Sequence, residues 1–158
     1  MVKAINQYHD LIINAPFGAI GISIESDYVV SVDLLLTSAK AHVSSSQFAK
    51  HVSHQVRQYL EKMDLSLQVP YVISGTPFQR RVWAVVSKIP PGNVLTYSEL
   101  AQKVGSGPRA VANACGANKL PLLIPCHRVV AKKGLGGFMQ GNPDGLMIKE
   151  WLLAHESK

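Results

Sequence analysis

The 158-residue sequence is short of cysteine, of aromatics and of acids. It has two cysteines, aromatic residues make up 7% of it, and ten acids face sixteen Lys and Arg. Two cysteines, Cys115 and Cys126, exclude a disulfide scaffold, and in a reducing compartment both remain thiols. No apolar run approaches the roughly 18 to 20 residues of a membrane span. The opening MVKAINQYHDLIINAP also lacks the apolar core of a signal peptide, so a cytoplasmic protein without membrane contact is expected. His51 and His54 stand one helical turn apart with no Cys near them in sequence. They are expected as solvated helix-surface residues, and no metal is expected. What remains is 47% hydrophobic and 16% charged, a globular chain long enough to bury a core.

The charge is uneven. Residues 1–75 carry five Lys and Arg against six acids, a net −1, whereas residues 76–158 carry eleven against four, a net +7. A basic half beside a neutral one fits a polyanionic partner, and charge alone fits a solvated basic surface equally well.

Residues 8–36 are rich in β-branched side chains and broken at Ala15-Pro16 and Ser26-Asp27, which predicts a small antiparallel meander. Residues 45–63 take helical spacing through Phe48, Val52, Val56, Tyr59 and Met63. A second unit begins near Ser74-Gly75. Thr76-Pro77-Phe78-Gln79 is a capping box with proline at the first helical position, so a helix is expected from there to about Lys88. Thr96-Tyr97-Ser98-Glu99 is another box and opens a helix over 97–104. Gly105-Ser106-Gly107 then turns the chain, and Pro108 opens a helix to Gly116. Two short helices across a glycine turn predict a helix-turn-helix. Beyond Asn118 the chain is expected to run extended through LPLLIPCHRVVAKKGLGGF. A final helix is expected to run to about His155, with Leu146, Ile148, Trp151 and Leu152 inward.

Ile124-Pro125-Cys126-His127-Arg128 carries the chemistry. Pro125 withholds an amide proton and interrupts regular structure where the thiol sits. A thiol beside an imidazole and a guanidinium is in a place that favours thiolate and nucleophilicity. On an extended segment Cys126 and His127 face opposite ways, so the imidazole would act through water unless the chain turns.

IPCHRVV, the downstream Gly136-Gly137-Phe138 and the closing KEWLLAHE together resemble the O6-alkylguanine-DNA alkyltransferases. GTPFQRRVWAVVSKIPPGNVLTYSELA and PRAVANACGANKLPLLIPCHRVV extend the resemblance over essentially all of residues 75–156. It implies an α/β unit over residues 1–74, a small antiparallel sheet plus helix. This packs on a mostly α-helical, winged-helix-like unit over 75–158 that contains the helix-turn-helix. It implies a DNA repair protein that moves the alkyl group of a flipped O6-alkylguanine onto Cys126, once and irreversibly, with no cofactor. Whether O4-alkylthymine is also accepted stays open.

By the same resemblance, His127 is the water-mediated base and Glu150 the carboxylate that orients it. Tyr97 donates a proton to the departing guanine, and Asn118 ties the helix pair to the active segment. Val129, Phe138, Met139 and Pro121 line the pocket. Arg109 is the intercalating arginine, with Ala110, Tyr97 and Thr96 also facing DNA, and the small residues Ala110, Ala112, Ala114 and Gly116 permit close approach. The partner implied is double-stranded DNA, bound by a monomer through the minor groove with little sequence preference.

Three rivals fit less well. Alkyltransferase-like binding proteins carry Trp where Cys126 stands. A cysteine hydrolase brings together Cys and His that are usually distant in sequence. A transcription regulator needs base-reading side chains that residues 110–117 do not offer.

Overall fold

A computed structural model of the chain describes residues 9–62, 67–138 and 143–158. Three strands form the expected meander: β1 (Leu11–Ala15), β2 (Gly18–Glu25) and β3 (Tyr28–Leu35). Ser26 and Asp27 turn the chain between β2 and β3 with φ of 51° and 63°. Positive φ at both central residues matches the right-handed twist of a hairpin. A short β4 (His42–Val43) adds to β1, which gives the order β3-β2-β1-β4. Ser46 caps helix α1 (Gln47–Glu61) by accepting from the Ala49 amide at 3.0 Å. The apolar stripe of α1, Ala49, Val52, Val56 and Tyr59, is buried, while His51 and His54 face solvent. Among the described residues no cluster of three or more His, Cys, Asp or Glu could hold a metal ion. Met63 lies outside the described residues.

Both capping boxes form. Thr76 and Gln79 exchange bonds of 3.1 and 3.0 Å and start α2 (Pro77–Val86). Thr96 and Glu99 exchange bonds of 3.1 and 2.9 Å and start α3 (Tyr97–Val104). Gly105 ends α3 in the left-handed region at φ 72°, a conformation that favours glycine. Helix α4 (Pro108–Gly116) follows. Leu100, Ala101 and Val104 of α3, with Val111 and Ala114 of α4, bury against Val82, Trp83 and Val86 of α2. The Trp83 indole donates to the Ala114 carbonyl at 2.8 Å, which fixes that side of α4 against protein.

The segment after Asn118 is not extended. The Ile124 amide donates to the Leu120 carbonyl at 2.8 Å, and Leu122 sits at φ 74°. The chain then winds into a 3-10 turn over Cys126–Arg128. Short strands β5 (Leu95–Thr96) and β6 (Val129–Val130) pair in parallel on either side of the site. The last helix, α5 (Pro143–Glu156), buries Ile148 and Leu152 and half-buries Trp151. Leu146, expected inward, is 38% exposed. It lies six residues before Leu152, about 240° around the helix from it.

One apolar core runs through both halves of the chain, from Leu11, Ile20 and Val52 to Trp83, Leu100 and Leu152. The Val32 amide of β3 donates to the Lys119 carbonyl at 3.0 Å, joining the sheet to the segment that leads to Cys126. Among the described residues, no helix is long and apolar enough to cross a membrane.

Candidate active site

Proline and asparagine build the turn that holds the thiol. Pro125 adopts φ −80° and ψ 63°, and the Cys126 amide donates back to the Ile124 carbonyl at 2.8 Å. This is an inverse γ-turn, a tight reversal that proline's fixed φ permits. The Asn118 side-chain amide donates to the same Ile124 carbonyl at 2.8 Å, while its oxygen accepts from the Leu120 amide at 2.8 Å. One side chain thus ties the end of α4 to the turn. Cys126 and His127 are both buried.

The carboxylate on His127 is Glu156 and not Glu150. His127 Nε2 lies 2.8 Å from Glu156 Oε2, with both side chains 1% exposed. Glu150 is exposed. KEWLLAHE holds two glutamates, and helical period separates them. Ile148, Leu152 and Glu156 recur every fourth residue on the buried face, whereas Glu150 lies about 200° away from Leu152.

Arg128 does not stand free beside the sulfur. Its Nε donates to Glu156 Oε1 and its Nη2 to Glu156 Oε2, each at 2.8 Å, and its Nη1 donates to the Ile89 carbonyl at 2.7 Å. Burial opposes the charged form of Glu156. The bonds from Arg128, His127 and Tyr59 outweigh that and hold the carboxyl well below its ordinary range. A carboxylate only accepts, so His127 Nε2 must carry the ring proton. His127 Nδ1 is then the basic lone pair, and no described protein group occupies it. Burial lowers the proton affinity of His127, partly offset by Glu156.

The cation on the sulfur side is Lys149, which the sequence reading passed over. It is fully buried, and its Nζ donates to the Val129 carbonyl at 2.7 Å and to the Gly137 carbonyl at 2.8 Å. Burial pulls its pKa down to about 8, opposed by the two cysteines. Cys115 is half-buried and hydrogen-bonds Cys126. That bond, then burial, push the Cys126 thiol up, while Asn118 and Lys149 pull it down. Tyr97 reaches across to the Gly137 carbonyl, 3.3 Å from its hydroxyl, and burial pushes its pKa up to about 12. Gly136, at φ 74°, lets the loop pass over the Tyr97 ring, where an added Cβ would lie 2.7 Å from Cε2.

Phe138 is buried and stands edge-on to His127, with ring centroids 6.5 Å apart. Pro121 is half-buried in the turn before the thiol. Met139 lies outside the described residues. Arg109 is exposed in the first turn of α4, with Ala110 half-buried beside it. Ala114 is 2% exposed and packs inward, so it does not belong to the small-residue face expected along α4. Thr96 spends its hydroxyl on the α3 cap.

The DNA-binding domain of 6-O-methylguanine DNA methyltransferase matches residues 77–158, just over half of the chain. The chain belongs to that family. The probable methylated-DNA–protein-cysteine methyltransferase of Acanthamoeba polyphaga mimivirus is 46% identical over 102 residues, covering 63% of this chain and 62% of that protein. The match thus spans less than two thirds of the viral relative. The Archaeoglobus fulgidus methylated-DNA–protein-cysteine methyltransferase is 39% identical over 115 residues, covering 72% of this chain and 76% of the relative. The Mycobacterium tuberculosis O6-methylguanine methyltransferase superposes with a TM-score of 0.77 at 27% identity, over 92% of this chain and 90% of that one. Mycobacterium tuberculosis OGT in complex with DNA gives 0.75 at 28%, over 92% and 91%.

Within this methyltransferase-family chain, three site residues escaped the sequence reading, for two different reasons. Lys149 and Glu156 carried a usable signal, since both fall on the buried stripe of α5 with Ile148 and Leu152. Tyr59 carried none. It lies on α1, and its hydroxyl donates to Glu156 Oε2 at 2.6 Å across 97 residues of sequence.

Proposed function

We propose that this chain takes the alkyl group of an O6-alkylguanine in double-stranded DNA onto Cys126, once per molecule. The observation that carries the reading is the 2.8 Å contact of His127 Nε2 with Glu156, which leaves Nδ1 without a protein partner among the described residues. With its Nε2 proton committed to Glu156, its Nδ1 lone pair can draw the thiol proton of Cys126 through a water. The sulfur then attacks the alkyl carbon in line. The S–C bond forms, the C–O bond breaks, and the electron pair passes to guanine, which Tyr97 protonates. The thioether resists hydrolysis, so the protein does not turn over.

The substrate pocket is assigned to Val129, Phe138, Pro121 and Met139, with Asn118 holding the turn. DNA binds a single copy of the chain by its minor groove against α3 and α4, which act as a helix-turn-helix, without sequence preference. Tyr97, Thr96, Ala110 and Arg109 are assigned to that contact. The buried sulfur cannot meet a stacked base, so the nucleotide leaves the helix at a cost of a few kcal/mol. Arg109, exposed at the start of α4, fills the space vacated.

Intact-mass measurement after mixing with O6-methylguanine duplex tests the reading. One methylene should be gained per molecule, mapped to Cys126, and the reaction should then stop. Repeated turnover, or modification mainly at Cys115, would refute it.

A further inference from the structure

The carboxylate of Glu156, on α5, gathers side chains from two other parts of the chain. Arg128 and His127 reach it from the turn that carries the thiol, and Tyr59 reaches it from α1, beneath the sheet. Tyr59 and His127 both bond the same oxygen, Oε2, at 2.6 and 2.8 Å. The contact is double. One residue along α5, the His155 ring donates through Nε2 to the Tyr59 carbonyl at 2.8 Å, and the two rings meet edge-on with centroids 5.4 Å apart. Tyr59 is 2% exposed, so its hydroxyl has no solvent to turn to.

We propose that Tyr59 is a positioning residue of the alkyl-transfer site, by which α1 fixes the Glu156 carboxylate and through it the imidazole of His127. This rests on the alkyl-transfer reading above. It assigns residues 1–74 a part in the chemistry beyond supporting the fold.

Donors on one oxygen compete for its electron density, so each weakens the pull on the others. With Tyr59 bonded to Oε2, Glu156 is a milder acceptor toward His127 and stabilises the imidazolium less. Tyr59 is a permanent donor, because burial first and then Glu156 raise its pKa far above neutrality. The other charged groups facing His127 are Glu156 itself, Arg128 and Lys149. Cys126 adjoins it in the chain, with Cys115 behind. None of these contacts Tyr59 except Glu156, with Arg128 acting on it at longer range. Removing the hydroxyl therefore reaches His127 through Glu156.

Tyr59→Phe keeps the ring and its packing on His155 and removes only the donor. The His127 titration, followed by NMR of its ring carbon, should move up by about half a pH unit. Single-turnover transfer from free O6-benzylguanine at neutral pH should slow several-fold as the carboxylate loses an anchor. Replacing Tyr59 with 3-fluorotyrosine, a stronger donor, should move the titration the other way and keeps the test open if the Phe variant folds poorly. An unmoved titration in both variants overturns the proposal whatever the rate does. A moved titration with an unchanged transfer rate in Tyr59→Phe overturns it as well, since the position would then have no kinetic consequence. If the unsubstituted protein accepts no alkyl group, the alkyl-transfer reading fails, and the titration still reports whether Tyr59 acts on His127.

Discussion

Replacing Glu156 by Gln should both destabilise the protein and disable the transfer, while Glu150→Gln should do neither. Glu156 is the counter-ion of Arg128, whose side chain is 8% exposed. Without the carboxylate charge, the guanidinium keeps only the Ile89 carbonyl and a neutral amide. Breaking a buried pair in this way costs about 3–5 kcal/mol. For a chain of this size each kcal/mol lowers Tm by roughly 2–4 °C, so a fall of roughly 6–20 °C is expected by thermal melt at pH 7. The amide also no longer forces the Nε2 proton onto His127, and single-turnover transfer should fall about 100-fold or more, the usual worth of a placed base. The difference has a pH signature. Glu156 has a depressed folded pKa, so its stabilisation is present above about pH 4.5 and is lost as pH falls further toward the folded value. The Tm gap between parent and Glu156→Gln should therefore be full at pH 7 and narrow below about pH 4.5. The exposed Glu150→Gln change should stay within about 0.5 kcal/mol. Equal losses at the two positions, or a Glu156→Gln protein melting with the parent, would refute the assignment.

Lys149→Met should slow alkyl transfer and raise the pH at which Cys126 reacts with iodoacetamide, because the sulfur loses its nearby cation. An unchanged thiol titration would place Lys149 in the fold alone. Arg109→Ala should react normally with free O6-benzylguanine, slowly with duplex, and recover when the lesion sits opposite a mismatch. A defect equal on all three substrates would assign Arg109 to the pocket, and one relieved by low salt rather than by mismatch would make it a phosphate contact. Duplex affinity should fall steeply with salt in a fluorescence titration, as expected of phosphate contacts from the +7 half. A flat response would mean the charge is only surface.

Elements fixed by local chemistry were legible in the sequence. The two capping boxes and Gly105 specify helix ends through bonds three residues apart, and the Ser26-Asp27 break marks a turn that local sequence can dictate. The segment from Leu120 to Arg128 was not legible, because its winding depends on Asn118 supplying hydrogen bonds from outside. Matched as a string, KEWLLAHE points to Glu150, whereas turned on its helix it brings Glu156 to the buried face. Adjacency in sequence sets Arg128 beside the thiol, but its charge is spent on Glu156. Tyr59 gives the limit of such reading. As one of several apolar-spaced residues on α1 it looks like core, and it is core except for one oxygen.

If Cys126 passes its proton to His127 as proposed, helix α5 explains how so buried a thiol can lose it. Both Cys126 and His127 are placed where burial favours their neutral forms. Transfer of the proton makes a thiolate and an imidazolium in a low-dielectric interior, where each alone would be costly. Lys149 and Glu156 stand seven residues apart on the same face of α5, a rise of about 10 Å. Lys149 lowers the cost of charge on the sulfur, and Glu156 lowers it on the imidazole. Proton movement therefore places negative charge toward a lysine and positive charge toward a glutamate, both already in position. Because burial, and then Arg128, oppose the pull of Glu156, the imidazolium would be supported without being made permanent, and His127 could remain a neutral base until the sulfur needs it.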